Sequence, residues 1–183
     1  MRLVHGKIFD EFIFIFEQYF FGIFMNYEIV TMPAMTIVGA ELHTTYMNNE
    51  CYSALPAFWE KQRKENSISK IPNKMYQDVL LGIYTDYTPD FSLTSGYFSF
   101  IMGVPVTSVE AIPKGMVVKE IMASKYAVFT AKGPFATEIG KKWANIWQNK
   151  DFQRSFTHDF EWYDSQSTDD ANSIVKIYIA LKT

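Results

Sequence analysis

The segment Phe160-Glu161-Trp162-Tyr163-Asp164 carries the residue types best suited to chemistry in this sequence. In a β-strand, Glu161 and Tyr163 would share one face of the sheet. A carboxylate framed by aromatic rings is partly removed from water, which disfavours its charged form until a cation arrives. Aromatic faces add a cation–π attraction of about 0.5–2 kcal/mol each. The segment therefore indicates a cation-binding site, and the alternative interpretation is ordinary aromatic packing beside a carboxylate on a wet sheet surface.

Signatures of the common catalytic mechanisms do not occur in the sequence, which has no G-x-S-x-G, H-E-x-x-H, G-x-G-x-x-G or Walker motif. The single cysteine, Cys51, cannot form an internal disulfide or a multi-cysteine zinc site. We therefore predict no metal, no cofactor and no catalytic residues, and leave open whether the protein is an enzyme. One cysteine also fits the reducing cytoplasm, which is the predicted location.

The charge balance argues against nucleic acid as a direct partner. The 183 residues include 17 Lys and Arg against 20 Asp and Glu, a formal net charge of −3. A protein that binds a phosphate backbone needs positive charge in excess on its binding surface. The unusual feature of the composition is instead its 17% share of aromatic residues. We attribute these rings to two sets, one in an N-terminal helix and one around Glu161.

The order of the predicted elements is the same in both halves of the chain. The first half is predicted to form a strand bent at Pro33, a helix and two strands, over Tyr27–Thr45, Ser53–Lys64, Val79–Tyr87 and Tyr97–Val109. The second half is predicted to form a strand, a helix and two strands, over Met116–Lys132, Phe135–Asn149, His158–Asp164 and Ile174–Leu181.

This duplication predicts the fold. Pro33 to Phe58 and Met122 to Trp147 both span 25 residues, so the halves are offset by 89 residues. We predict an α+β domain over residues 27–183 with an internal repeat, 27–110 and 116–183. Its duplicated strand-helix-strand-strand units would form an antiparallel sheet with two main helices and a ligand cleft at the seam between the halves.

Residues 1–26 have a pattern of their own. Apolar residues recur at three- and four-residue intervals, which predicts an amphipathic helix with a wide apolar face. The stretch Phe12–Met25 is interrupted by Glu17 and Gln18 and is shorter than the roughly 20 apolar residues of a membrane span, so we predict no transmembrane segment. The helix is expected to dock on its own domain, on a second copy to form a homodimer, or on a protein partner. Attachment to a membrane surface is the alternative.

Several short motifs occur in the order and spacing of a known family. They are Tyr27-Glu28-Ile29-Val30-Thr31-Met32-Pro33-Ala34, Gly82-Ile83-Tyr84-Thr85-Asp86-Tyr87, Gly103-Val104-Pro105-Val106, Phe160-Glu161-Trp162-Tyr163 and Ile177-Tyr178-Ile179-Ala180-Leu181-Lys182. With the duplicated element order, they resemble the GyrI-like effector-binding domain. That domain is the ligand-sensing half of many AraC- and MerR-type transcription regulators. The resemblance runs from about Tyr27 to Lys182.

The resemblance implies a pocket between the two halves that takes lipophilic, often cationic aromatic compounds. The matching glutamate is Glu161, which would lie opposite the positive charge of the ligand. The aromatic residues carried over from the family are Tyr163, Tyr84 and Tyr178. Our own interpretation of the two helices adds Trp59 and Trp147 to the predicted ligand-binding residues.

The resemblance does not extend to a DNA-binding region. Only 26 residues precede the matched region, and they offer too few basic side chains for a helix-turn-helix. We therefore expect a stand-alone small-molecule-binding domain for amphipathic cationic compounds. Two other functions remain open. One is a protein-binding inhibitor or antitoxin, as in the gyrase-inhibitory branch of the family. The other is a hydrolase of strained electrophilic compounds, with Glu161 as a general base.

Overall fold

One antiparallel sheet and two helices form the part of the chain that the computed structural model describes, residues 27–182. The helix predicted over residues 1–26, with its docking or dimerising role, lies outside the described residues. The strands are β1 (Glu28–Met32), β2 (Met35–Thr44), β3 (Leu80–Thr85), β4 (Phe98–Pro105), β5 (Val117–Ile121), β6 (Ser124–Gly133), β7 (His158–Tyr163) and β8 (Ser173–Ala180). The helices are α1 (Glu50–Lys64) and α2 (Phe135–Gln148).

The strand order confirms the predicted duplicated α+β fold. The sheet runs β1-β6-β8-β7-β3-β4-β2-β5, and its two halves meet where β7 pairs with β3. The edge strands are exchanged, because β1 of the first half pairs with β6 and β5 of the second half pairs with β2. The first residues of β1 and β5, Glu28 and Val117, lie 89 residues apart, as do those of β2 and β6, Met35 and Ser124. The predicted offset therefore holds for the first two strands of each half.

The prediction of one long strand at the start of each half was wrong. Each of these segments forms two strands, which break at Pro33–Ala34 in the first half and at Met122–Ala123 in the second. Each break lets the first strand pair with the opposite half while the second stays in its own. Pro33 has no backbone N–H to donate to a ladder, so a break there is inexpensive.

Helix α1 begins at Glu50, three residues before the predicted start at Ser53. Asn49 precedes it in the left-handed conformation with φ of 60°, which asparagine tolerates better than most residues. The hydroxyl of Ser53 donates to the Glu50 carbonyl inside the first turn. The extra turn places Cys51 and Tyr52 at the start of the helix.

The two faces of the sheet are covered differently. On the face that α1 and α2 cover, here called the helix face, buried strand residues include Tyr84, Phe100, Phe129 and Ile177. On the opposite face, here called the strand face, the curled sheet packs strand against strand through Ile37, Ile83, Ile101 and Phe160. Strand β4 is buried along all eight residues, as expected for a strand that is covered on both sides. Neither helix in residues 27–182 is long and apolar enough to cross a membrane.

Candidate functional site

A cavity of about 740 Å³ lies between α1 and α2, above the seam where β3 pairs with β7. Helix α1 contributes Cys51, Leu55 and Trp59, and helix α2 contributes Ile139 and Trp143. The strands contribute Leu80, Tyr84, Glu161 and Tyr163. The volume falls in the range of about 300–1,000 Å³ that is usual for small-molecule sites.

The carboxylate of Glu161 lies at the floor of this cavity, and the residue is only 3% exposed. Its Oε1 accepts hydrogen bonds from Trp143 Nε1 at 2.6 Å and from Tyr84 Oη at 3.1 Å. Its Oε2 accepts a short hydrogen bond from Tyr163 Oη. All three donors are neutral, so the carboxylate is hydrogen-bonded without being paired to a positive charge. None of the ion pairs formed within residues 27–182 includes Glu161.

Gly82 on β3 makes room for this carboxylate. In the β3–β7 ladder, Gly82 is the direct partner of Glu161. A Cβ on Gly82 would lie 3.0 Å from Glu161 Oε2 and 3.1 Å from the ring of Phe100. Any larger residue would therefore push on the glutamate or on the ring beneath it. The glycine that opens the Gly82-Ile83-Tyr84 motif thus has a local steric role.

Burial dominates the electrostatics of the site. It raises the pKa of Glu161 above the usual value of 4.5, and the hydrogen bonds from Tyr163, Trp143 and Tyr84 offset only part of that rise. Burial and the nearby Glu161 charge hold the pKa values of Tyr84 and Tyr163 well above 10, so both phenols stay protonated and donate. Burial also raises the pKa of the Cys51 thiol to about 11, so this cavity residue is neutral at neutral pH.

Aromatic rings form the walls around the carboxylate. Trp59 meets Tyr163 edge to face, with ring centres 5.5 Å apart. Tyr84 contacts Trp143 at 4.9 Å and Phe100 at 5.1 Å in the same geometry. These contacts hold the rings in place, and their π faces attract positive charge.

The structure brings together four of the six residues predicted for the site, Glu161, Tyr163, Tyr84 and Trp59. Tyr178 lies on the strand face, because its partner across the β7–β8 ladder is Phe160, and the two rings stack 4.5 Å apart. Trp147 lies one turn beyond the cavity on α2 and packs against Arg154 instead. Neither residue lines the cavity that contains Glu161.

Trp143 is the residue that sequence reasoning did not select. It lies on the same apolar stripe of α2 as Ile139 and Trp147, one turn from each. Helical periodicity alone puts both tryptophans on one face, and only the position of the helix over the sheet shows that Trp143 reaches Glu161. The signal in the sequence that could have pointed to Trp143 is its indole N–H, because a buried indole N–H needs a hydrogen-bond acceptor.

Most of the chain matches a known protein family. Residues 28–181 match the Cass2 family, described as integron-associated effector binding protein. The chain belongs to this family. The effector-binding protein is therefore a small-molecule effector-binding domain, and the resemblance to the GyrI-like domain is confirmed.

Relatives of the effector-binding protein include YobU of Bacillus subtilis, named as a candidate transcriptional regulator. It is 28% identical over 130 residues, which cover 70% of this chain and 79% of YobU. An integron cassette protein of Vibrio cholerae has a TM-score of 0.67 at 26% identity, over 85% of this chain and 95% of that one. SAV2435, solved bound to tetraphenylphosphonium, has a TM-score of 0.72 at 21% identity, over 86% of this chain and 94% of its own. The effector-binding protein and SAV2435 thus share a fold.

Proposed function

We propose that this effector-binding protein binds lipophilic cations with aromatic groups, in the cavity between α1 and α2. The observation that carries the proposal is the state of Glu161. It is a buried carboxylate with three neutral donors and no positively charged partner among residues 27–182. A buried charge of this kind is costly unless it is compensated. A bound cation supplies the missing compensation.

The surroundings of Glu161 select the kind of cation. The walls are mostly apolar and aromatic, with Leu55, Leu80 and Ile139 beside the rings. Asp78 and Asp164 also line the cavity, but a small hydrated ion at Glu161 would give up its water for a carboxylate whose two oxygens already accept from Trp143, Tyr84 and Tyr163. A large organic cation loses less hydration and gains contact with the rings. Delocalised charge on an aromatic framework therefore fits the cavity best.

A relative supports the choice of probe. SAV2435, which shares the fold, was solved with tetraphenylphosphonium, a lipophilic cation with four aromatic rings. Its charge is permanent, so its own protonation does not vary with pH. It is therefore the first compound to test on this protein.

The test is a calorimetric titration of tetraphenylphosphonium into the wild type and Glu161→Gln. Glutamine has the shape of glutamate and can still accept from Trp143, but it lacks the charge. We expect affinity to fall by about tenfold to a hundredfold, from the 1.5–3 kcal/mol typical of a contact with a charged group. Neutral triphenylphosphine oxide should bind both proteins alike.

The matched control is Glu120→Gln on β5, whose carboxylate accepts from Thr36 Oγ1 at an exposed position. It should bind tetraphenylphosphonium like the wild type. Equal affinity of the wild type and Glu161→Gln for the cation would overturn the proposal.

A further inference from the structure

A second cavity, of about 460 Å³, lies at the end of α2 away from Glu161. Its walls come from the C-terminal turn of the helix, the β3–β4 loop and the segment that follows the helix. The aromatic residues among them are Phe91, Trp147, Phe152 and Phe156. The described residues that line this cavity and those that line the Glu161 cavity have no member in common. The two cavities are therefore separate sites.

Arg154 is the one charged side chain among the described residues that line this second cavity. The side chain is 8% exposed, and its guanidinium carbon lies 4.1 Å from the ring centre of Trp147 and 4.4 Å from that of Phe156. One nitrogen, Nη2, donates to Asp159 Oδ2 at 2.6 Å. The group thus contacts both rings and is anchored at one corner by Asp159.

The other two nitrogens of Arg154 are unsatisfied. Nε and Nη1 are buried and have no hydrogen-bond partner among residues 27–182. Arginine stays charged in proteins and can form several hydrogen bonds at once, so three unpaired N–H bonds in a buried site, one on Nε and two on Nη1, leave favourable interactions unmade. Asp159 compensates the charge through one bond and leaves these donors free.

The backbone at Phe156 adds an independent observation. Its φ is 55°, in the left-handed region, where a bulky residue other than glycine is an outlier. This conformation places the Phe156 ring on the guanidinium of Arg154. Strained backbone of this kind clusters at ligand sites, where the surrounding structure holds it in place.

We propose that this cavity is a second ligand site, which binds aromatic carboxylates through Arg154. The ring of the ligand packs among Phe91, Phe152 and Phe156, and a carboxylate oxygen accepts from an unpartnered N–H of Arg154. Nε and Nη1 are buried, so the ligand reaches their N–H bonds once a neighbouring ring rotates aside. The site thus has the opposite charge preference to the Glu161 cavity.

The probe for this site is 2-naphthoate, a bicyclic aromatic carboxylate, and its uncharged counterpart is 2-naphthamide. Calorimetric titration into the full chain should show binding of 2-naphthoate and at least about tenfold weaker binding of 2-naphthamide, as expected for loss of a charge-assisted hydrogen bond. Arg154→Lys keeps a positive charge near Asp159 but removes the guanidinium donors. It should weaken the binding of 2-naphthoate by about tenfold or more. Arg63, an exposed residue of helix α1, lines the cavity that contains Glu161. Arg63→Lys makes the same exchange there and should leave the affinity for 2-naphthoate unchanged.

Glu161→Gln separates this inference from the proposed function. It should weaken the binding of tetraphenylphosphonium and leave the affinity for 2-naphthoate unchanged. Either proposal can therefore be refuted without the other. The proposal of a second site would be overturned if the wild type bound 2-naphthoate and 2-naphthamide with equal affinity. It would also be overturned if a folded Arg154→Lys variant bound 2-naphthoate as tightly as the wild type does. Where Arg154→Lys does not fold, the wild type is crystallised with 6-bromo-2-naphthoate. An anomalous bromine peak between Phe91 and Phe156 supports the proposal, and a peak elsewhere or none at saturation refutes it.

Discussion

Two buried acids on the same strand differ in how their charge is compensated. Asp159 and Glu161 lie two residues apart on β7 and therefore on one face. Asp159 is fully buried and accepts from Arg154, from Tyr87 and from the backbone N–H of Ala180. Among the described residues, Glu161 accepts only from neutral side chains. Within residues 27–182, one acid is thus neutralised by an arginine and the other has no positively charged partner.

The uncompensated charge should reduce the stability of the protein. Burial raises the folded-state pKa of Glu161 above the usual 4.5. A carboxyl group that holds its proton more tightly when folded loses stability as pH rises from its unfolded pKa through its folded pKa. We therefore expect Glu161→Gln to melt at a higher temperature than the wild type at neutral pH.

The gain should shrink as pH falls toward 4, where the wild-type carboxyl becomes protonated. Thermal melts followed by circular dichroism across this range give the comparison, with Glu120→Gln as the reference. A lower melting temperature for Glu161→Gln at neutral pH would contradict the assignment of a raised pKa.

The same pKa direction makes ligand binding depend on pH. Only the ionised form of Glu161 attracts a cation, so affinity for tetraphenylphosphonium should fall on acidification. Because the pKa is raised by burial, the fall should begin at a higher pH than an exposed glutamate would give. Titrations at a series of pH values measure this curve, and Glu161→Gln should give a flat one. A wild-type curve that matches the variant would assign the effect to other groups.

At the scale of elements, helix α2 contributes side chains to both cavities. Its tryptophans lie one turn apart, yet Trp143 donates to Glu161 whereas Trp147 packs on Arg154. The ring of Trp143 also lies 5.9 Å from the Arg154 guanidinium carbon. A rotation or shift of this helix would therefore affect both cavities. The helix was readily predicted from its apolar stripe, but the stripe treats the two rings alike.

Paired substitutions on α2 separate these roles. The hydrogen bond from Trp143 lowers the pKa of Glu161, so Trp143→Phe should raise that pKa further. The pH at which tetraphenylphosphonium binding is lost should then move upward. Trp147→Phe, the matched control, should leave the midpoint at its wild-type position. Equal midpoints in both variants would mean that the Trp143 hydrogen bond does not act on the carboxylate.

At the scale of the whole molecule, the two halves depend on each other for their edges. Strand β1 pairs with β6 and β5 pairs with β2, so each half completes the sheet of the other. The halves are also joined along β3 and β7, where Ile83 and Phe160 are paired and fully buried. A half alone would expose this seam and leave strands unpaired.

We expect that neither half folds alone. Fragments 1–113 and 114–183, expressed separately, should lack a cooperative thermal transition, and coexpression should restore one together with tetraphenylphosphonium binding. Circular dichroism melts of the fragments, the coexpressed pair and the full chain provide the measurement. A cooperative transition in one isolated fragment would show that the exchanged strands are dispensable.

The sequence alone determined what depends on local periodicity. Alternation along β7 placed Glu161 and Tyr163 on one face, because successive side chains in a strand point to opposite sides. The repeat offset of 89 residues predicted the duplicated fold, since the same pattern occurs in both halves.

The tertiary structure decided which faces and ends meet. Tyr178 had the right residue type, but the β7–β8 register put it beside Phe160 on the strand face. The choice of Trp143 over Trp147 depends on where α2 crosses the sheet, and the exchange of β1 and β5 depends on pairing between the halves. These are contacts between residues far apart in the chain, so no local pattern encodes them. Residue types and strand alternation therefore predicted that rings surround Glu161, whereas the division of the aromatic residues between a carboxylate cavity, an arginine cavity, the core and exposed positions such as Tyr52 and Tyr97 required the folded molecule.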